Sequence, residues 1–99
     1  MAKLVVSRQA ELDTATIVAV LTDKAGTTVA EQYRHEFEDL FERLMMFPMS
    51  GARRPLLSRY TRIAVVNPYV VIYEHRRETV RILRVVDGRR NITRRLVQQ

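Results

Sequence analysis

The chain has no cysteine and no tryptophan, and only three glycines, three prolines and two histidines among its 99 residues. Without cysteine there is no disulfide frame, no thiolate nucleophile and no thiolate metal ligand, which fits a reducing compartment. The glycines fall at 26, 51 and 88, too scattered to form a phosphate-cradling loop. His35 and His75 stand alone in their segments, with no ligand set at metal-binding spacing, so neither a metal nor any other cofactor is expected. Ser7, Ser50 and Ser58 have no visible histidine–carboxylate support, which argues against a serine hydrolase. No apolar run approaches the length of a membrane span. Met1–Val6 lacks the basic region and apolar core of a signal peptide. The expectation is a soluble, cytoplasmic protein without a membrane partner.

Acidic residues are scarce in one half only. Residues 51–99 carry twelve arginines against Glu74, Glu78 and Asp87, whereas residues 1–50 carry five Lys/Arg against eight Asp/Glu. Every basic residue of the second half is arginine, the side chain that forks onto carboxylates and phosphates. Such asymmetry points to an acidic partner, either nucleic acid or an acidic protein segment. The plainer alternative is a solvated basic surface.

What is present is organised around Tyr60–Asn91. Thr61–Val66 reads as a strand, broken by Asn67-Pro68, because proline has no N–H to give a ladder. Tyr69–Glu74 is a second run, rich in β-branched and aromatic residues. His75–Glu78 is a charged turn and Thr79–Val86 a third strand; spacings this short favour antiparallel neighbours. Tyr69, Val71 and Tyr73 share a side, with Val66, Val70 and Ile72 assigned to the opposite one. A sheet apolar on both sides must be covered on both. Either the 49–59 loop and the tail fold over the second face, or that face waits for a partner.

The first half supplies the other cover. Lys3–Val6 reads as an edge strand, and Ser7 as the N-cap of a helix over Arg8–Leu21 with Ala10, Ile17, Val18 and Leu21 on one face. Asp23–Thr27 reads as a turn. Thr28 and Glu31 have capping-box spacing. From there Val29, Tyr33, Phe37, Leu40, Phe41 and Leu44 recur at helical spacing until Phe47, before Pro48. Gln32, Glu36, Asp39 and Arg43 lie on the solvent side, and His35 near it. The predicted fold class is α+β: an N-terminal strand and a two-helix hairpin packed on a three- to four-stranded, mainly antiparallel sheet. Residues 1–99 read as one domain. The 92–99 tail either docks through Leu96 and Val97 or stays flexible.

Arginine is the chemistry left over. Arg62 and Arg84 interrupt apolar strands, where a charge is normally paired or functional. Arg53 and Arg54 lie in the loop; Arg89, Arg90, Arg94 and Arg95 lie in the tail. Tyr60, Tyr69 and Tyr73 are either stacking platforms for bases or core tyrosines with the hydroxyl at the rim.

The order of these pieces resembles the ParE/RelE superfamily of small bacterial toxins, also called plasmid stabilisation proteins, over nearly the whole length. The resemblance rests on Ala10, Asp13 and Ile17 of the first helix, Pro48 and Gly51 after the second, Arg62, the Tyr69–Tyr73 strand, and the run from Ile82 to Asn91. Where ParE-like members commonly carry His before the last glycine and Asp after the arginines, this chain has Asp87 and Asn91. The RelE-like ribonuclease positions are also replaced, by Thr61, Ile63 and Val70, and no Tyr or His follows His75. An arginine alone is a poor proton carrier. The resemblance is therefore to the ParE-like branch, which implies the toxin of a type II toxin–antitoxin pair and a non-enzymatic poison of DNA gyrase. It implies target contacts at Arg62, Arg84, Arg89 and Arg90, with no catalytic residue. It also implies a small antitoxin whose acidic and apolar C-terminal segment meets Val70, Ile72, Arg53 and Arg54. The alternatives are a ribosome-dependent mRNA endoribonuclease with Arg62, Arg84 and Arg89 at the phosphate, and a non-toxic relative that only binds an antitoxin.

Overall fold

The structure, a computed structural model, describes residues 1–97. Eight elements follow in chain order: β1 (Lys3–Val6), α1 (Arg8–Ala25), α2 (Thr27–Met46), β2 (Ala52–Arg53), β3 (Thr61–Val66), β4 (Tyr69–Arg76), β5 (Thr79–Asp87) and α3 (Arg94–Val97). The sheet order is β1-β5-β4-β3-β2. β1 runs parallel to β5, and the other pairs are antiparallel. This is the α+β arrangement expected, with a fifth strand that the pattern did not show. β2 is two residues long and pairs only with Ile63 and Arg62, too short to carry an alternation of its own.

Both helices begin or end differently from the sequence reading, for one reason. α1 continues four residues past Leu21, and Gly26 alone joins it to α2. Gly26 takes φ 92° and its N–H donates to Thr22 O, so the reversal closes in a single residue that L side chains rarely match. The capping box consequently does not form. Gly26 occupies the N-cap of α2 without a side-chain cap, and Glu31 pairs with Arg34 instead. At the start of α1, Ser7 does cap: its Oγ accepts the Ala10 N–H at 3.0 Å.

Side chains from the helical hairpin meet one face of the sheet. Ala10, Phe37, Leu40 and Leu44 pack with Val66, Val71, Tyr73, Val80, Ile82 and Val85. Val66 belongs to this face, not the opposite one. It is paired with Tyr69 across the β3–β4 turn, and residues directly opposite one another in a ladder point the same way. On the second face Leu57, Ile72 and Val86 are buried beneath Ile63, Val70, Leu83, Ile92, Leu96 and Val97. The loop and the tail therefore cover it together, and Ile72 has no exposed surface. Of the tail, Gln98 and Gln99 lie outside the described residues.

The chain leaves α2 through a compact polar knot. Tyr73 is fully buried, and its hydroxyl donates to Pro48 O at 2.7 Å and accepts the Gly51 N–H at 2.9 Å. Arg62 Nη1 donates to Met49 O at 3.1 Å and to Gly51 O at 2.9 Å. A Cβ on Gly51 would stand 2.5 Å from the Tyr73 hydroxyl and 2.6 Å from Ile63 O. Gly51→Ala is expected to destabilise the protein by about 1–3 kcal/mol through this overpacking. Tyr73→Phe should cost about 1–3 kcal/mol by leaving buried backbone groups unpaired. Urea unfolding monitored by circular dichroism measures both.

Candidate functional site

Neither Arg62 nor Arg84, the two arginines that interrupt apolar strands, is free. Arg84, on β5, forks onto Asp13 of α1: Nε to Oδ2 at 2.7 Å and Nη2 to Oδ1 at 3.0 Å. Its third nitrogen donates to Leu96 O at 3.1 Å, which fastens α3. The pair is largely buried, with side chains 14% and 15% exposed, and the fork pushes the Arg84 pKa upward. Asp13 Oδ2 also accepts the Val85 N–H at 2.9 Å, while Ser7 Oγ donates to Leu83 O at 2.9 Å. β1 pairs with β5 only as far as Ile82. Beyond that point these two side chains of the α1 start satisfy the β5 edge. The β4–β5 ladder is also irregular here, with Tyr73 opposite Ile82 but Ile72 opposite Arg84, which leaves Leu83 as the extra residue.

Arg62, two strands away on β3, is spent on the carbonyls of Met49 and Gly51. Both residues expected at the target thus carry internal bonds, the pairing that their place among apolar strand residues had left open. Arg89 and Arg90 are exposed at the other end of β5, in the turn after Asp87. Arg89 donates to both Asp87 oxygens at 3.0 and 2.8 Å, and its backbone N–H adds a bond at 2.9 Å. These bonds lower the Asp87 pKa to about 2. Arg53 and Arg54 are exposed beside Leu56, which is 87% exposed. Val70 is half-buried and Ile72 fully buried, so the expected apolar contact through Ile72 is not available on this surface.

The tyrosines are packed. Tyr73 is in the core, and burial raises its pKa, so its hydroxyl stays a donor at neutral pH. Tyr69 meets Tyr33 edge-on at 5.6 Å and Phe37 at 5.8 Å. Arg59 and Arg76 both stand over the Tyr60 ring, at 5.3 and 4.8 Å.

Two open grooves flank α2. One, of about 600 Å3, runs between the helices and is lined by Val6, Ala15, Val18, Ala19, Phe37 and Phe41, with Glu11, Arg34 and Glu38 at its rim. The sequence reading assigned Val18 to the buried stripe and missed this groove, because Ala15 and Ala19 are too small to signal a depression. The other, about 850 Å3, has Glu36, Asp39 and Glu42 facing Val65 and Asn67. Its acidic wall is the α2 face that the periodicity assigned to solvent.

Three measurements check this geometry: urea unfolding, amide exchange and carboxyl titration. Arg84→Ala should cost about 3 kcal/mol, because it leaves a carboxylate largely buried and unpaired. Adding Asp13→Ala should cost less than the sum of the two single changes. Amide exchange over Ile92–Val97 should also quicken in Arg84→Ala, since α3 loses its bond. Separately, the Asp87 carboxyl resonance should titrate near pH 2 and move toward 3.8 in Arg89→Ala. The folded pKa is the lower one, so the Asp87 interaction favours folding above pH 3.8 and is lost as pH falls through about 2.

Comparison with known proteins bears on the same elements. Residues 4–92 match the family described as the ParE toxin of the type II toxin-antitoxin system parDE. Toxin ParE3 of Caulobacter vibrioides is 31% identical over 96 residues, covering 97% of this chain and 96% of that protein. The chromosomal ParDE TA system from P. aeruginosa contains a chain of the same fold. It aligns with a TM-score of 0.75 over 88% of this chain and 96% of that one, at 20% identity. The match from β1 through Ile92 takes in both helices and the whole sheet, and the chain belongs to the ParE toxin family of type II toxin–antitoxin systems.

Proposed function

We propose that this protein arrests growth by binding DNA gyrase, without breaking a bond through its own side chains, and that a cognate antitoxin neutralises it. The observation that carries the reading is the prior commitment of two of the three arginines a nuclease of this shape would use, together with the Tyr73 hydroxyl. Cleavage of RNA by its 2′-hydroxyl needs a cation at the phosphate and a group that moves protons. Arg62 and Arg84 already serve the loop and Asp13, and the Tyr73 hydroxyl is buried between Pro48 O and the Gly51 N–H. The cations still facing outward, Arg89 and Arg90 among them, suit docking onto a macromolecule.

The antitoxin fits the apolar groove between α1 and α2. An amphipathic helix would lay its apolar side on Ala15, Val18 and Phe41, and acidic residues of the same partner would meet Arg53 and Arg54. Val70 packs on the opposite face of the sheet with the tail, and Ile72 is fully buried, so neither adjoins this groove. Inducing the gene alone should arrest growth and yield gyrase-linked DNA breaks, and co-expression of the neighbouring antitoxin gene should restore growth. Arrest with intact DNA and cleaved mRNA would favour the ribonuclease alternative. Strong, harmless expression of folded protein would identify a non-toxic relative.

A further inference from the structure

The end of β5, the start of α1 and α3 line an open hollow of about 310 Å3 that shares Arg90 with the gyrase reading and has no part in the antitoxin reading. Gln9, Arg90, Asn91, Thr93 and Arg95 line it, and Arg84 and Leu96 form its inner wall. Since Asp13 already neutralises Arg84, the cavity's own charge comes from Arg90 and Arg95. No carboxylate lines it, and neither arginine has an ion-pair partner among the described residues. The lining can donate hydrogen bonds throughout: two guanidinium groups, two amides and a hydroxyl.

We infer that this cavity holds a backbone phosphate of duplex DNA. Its chemistry selects the ligand in two steps. The two oxygens of a carboxylate lie in one plane and fill one guanidinium fork, whereas the oxygens of a phosphodiester project from a tetrahedral phosphorus, matching donors that come from α1, the β5 turn and α3. Single-stranded nucleic acid is normally held by bases stacked on aromatic rings. No aromatic side chain lines this cavity. The donors thus read a phosphate backbone without reading bases. Arg94, next to Arg95 on α3, and Arg89, next to Arg90, extend the positive surface outward. The choice of DNA over RNA rests on the gyrase reading; the phosphate site itself does not.

The α3 wall ties this site to the Asp13–Arg84 fork, since Arg84 Nη1 holds Leu96 O. Arg90 and Arg95 are exposed, so their replacement leaves the fold in place. The test is binding of the purified full chain to a fluorescent 20-base-pair DNA duplex, by anisotropy, across a salt series and without gyrase. The same duplex in RNA and a poly-glutamate peptide are measured in parallel. The expected result is affinity that falls linearly with salt on logarithmic axes. Arg90→Ala/Arg95→Ala should lower that slope by about one, the share of a single phosphate, and weaken binding at least tenfold. Arg76→Ala/Arg81→Ala removes the same charge near the opposite end of β5 and should leave both nearly unchanged. Equal losses in the two double variants would overturn the site in favour of a diffuse basic surface, as would tighter binding to poly-glutamate. Equal binding to RNA would overturn the assignment to DNA. Duplex binding without gyrase-linked breaks in cells would retain the site and remove the gyrase reading, so the two fail separately.

Discussion

The fold turns on the carboxylate of Asp13. One side chain accepts both arms of the Arg84 fork and the backbone N–H of Val85. It takes over the β5 edge where β1 stops, and it compensates the Arg84 cation set among buried strand residues. Through Arg84 it also reaches Leu96, so the hairpin, the sheet and the tail meet at a single ion pair. Removing a charge from water costs several kcal/mol, roughly, and a bidentate fork with further hydrogen bonds is the arrangement that offsets it. The pair therefore specifies where α1 crosses the sheet more than it adds net stability. An apolar pair of the same size would stick as well but would not fix the register.

The same geometry explains why so many arginines fall in the second half and do such different things. Arg62 and Arg84 face backbone carbonyls or a carboxylate and hold the chain together. Arg89 stays near Asp87 in the turn, an exposed pair that salt would screen. Arg90 and Arg95 have no such partner among the described residues and point their charge outward around a common hollow. Composition registers all twelve arginines of this half alike, yet only the exposed ones can set the protein's field.

Much of this was legible in the chain. The α2 stripe from Val29 to Leu44, the three strands from Thr61 to Asp87 and the Ser7 cap follow from period and turn chemistry, because each is decided by neighbours in sequence. What depended on distant partners was not legible. Val66 could not be given a face until its register with Tyr69 was known. The Thr28–Glu31 capping box lost to a one-residue turn, since Gly26 let α1 run on to Ala25 and start α2 at Thr27. Ile72 was available to a partner only if the tail stayed off the sheet. Leu57, Ile92, Leu96 and Val97 instead supply the cover that a two-sided sheet requires. For Arg62 and Arg84, an interrupted apolar strand signalled that a partner must exist; it gave no sign of which one.

The same two arginines shape the outward charge of the sheet. A ribonuclease on this sheet would need arginines free to meet a phosphate, and here the two central ones are bonded to groups whose loss would open the loop or release the tail. Their reassignment to structure moves the outward-facing cation density from the middle of the sheet to its ends. There it sits on a turn and a short helix that are held by the core yet open to solvent. Exposed cations placed there face solvent with the field that an anionic partner would meet. Chemistry needs convergence and exclusion of water; docking needs exposed charge on a rigid support, and the Asp13–Arg84 pair provides that support at the foot of the tail.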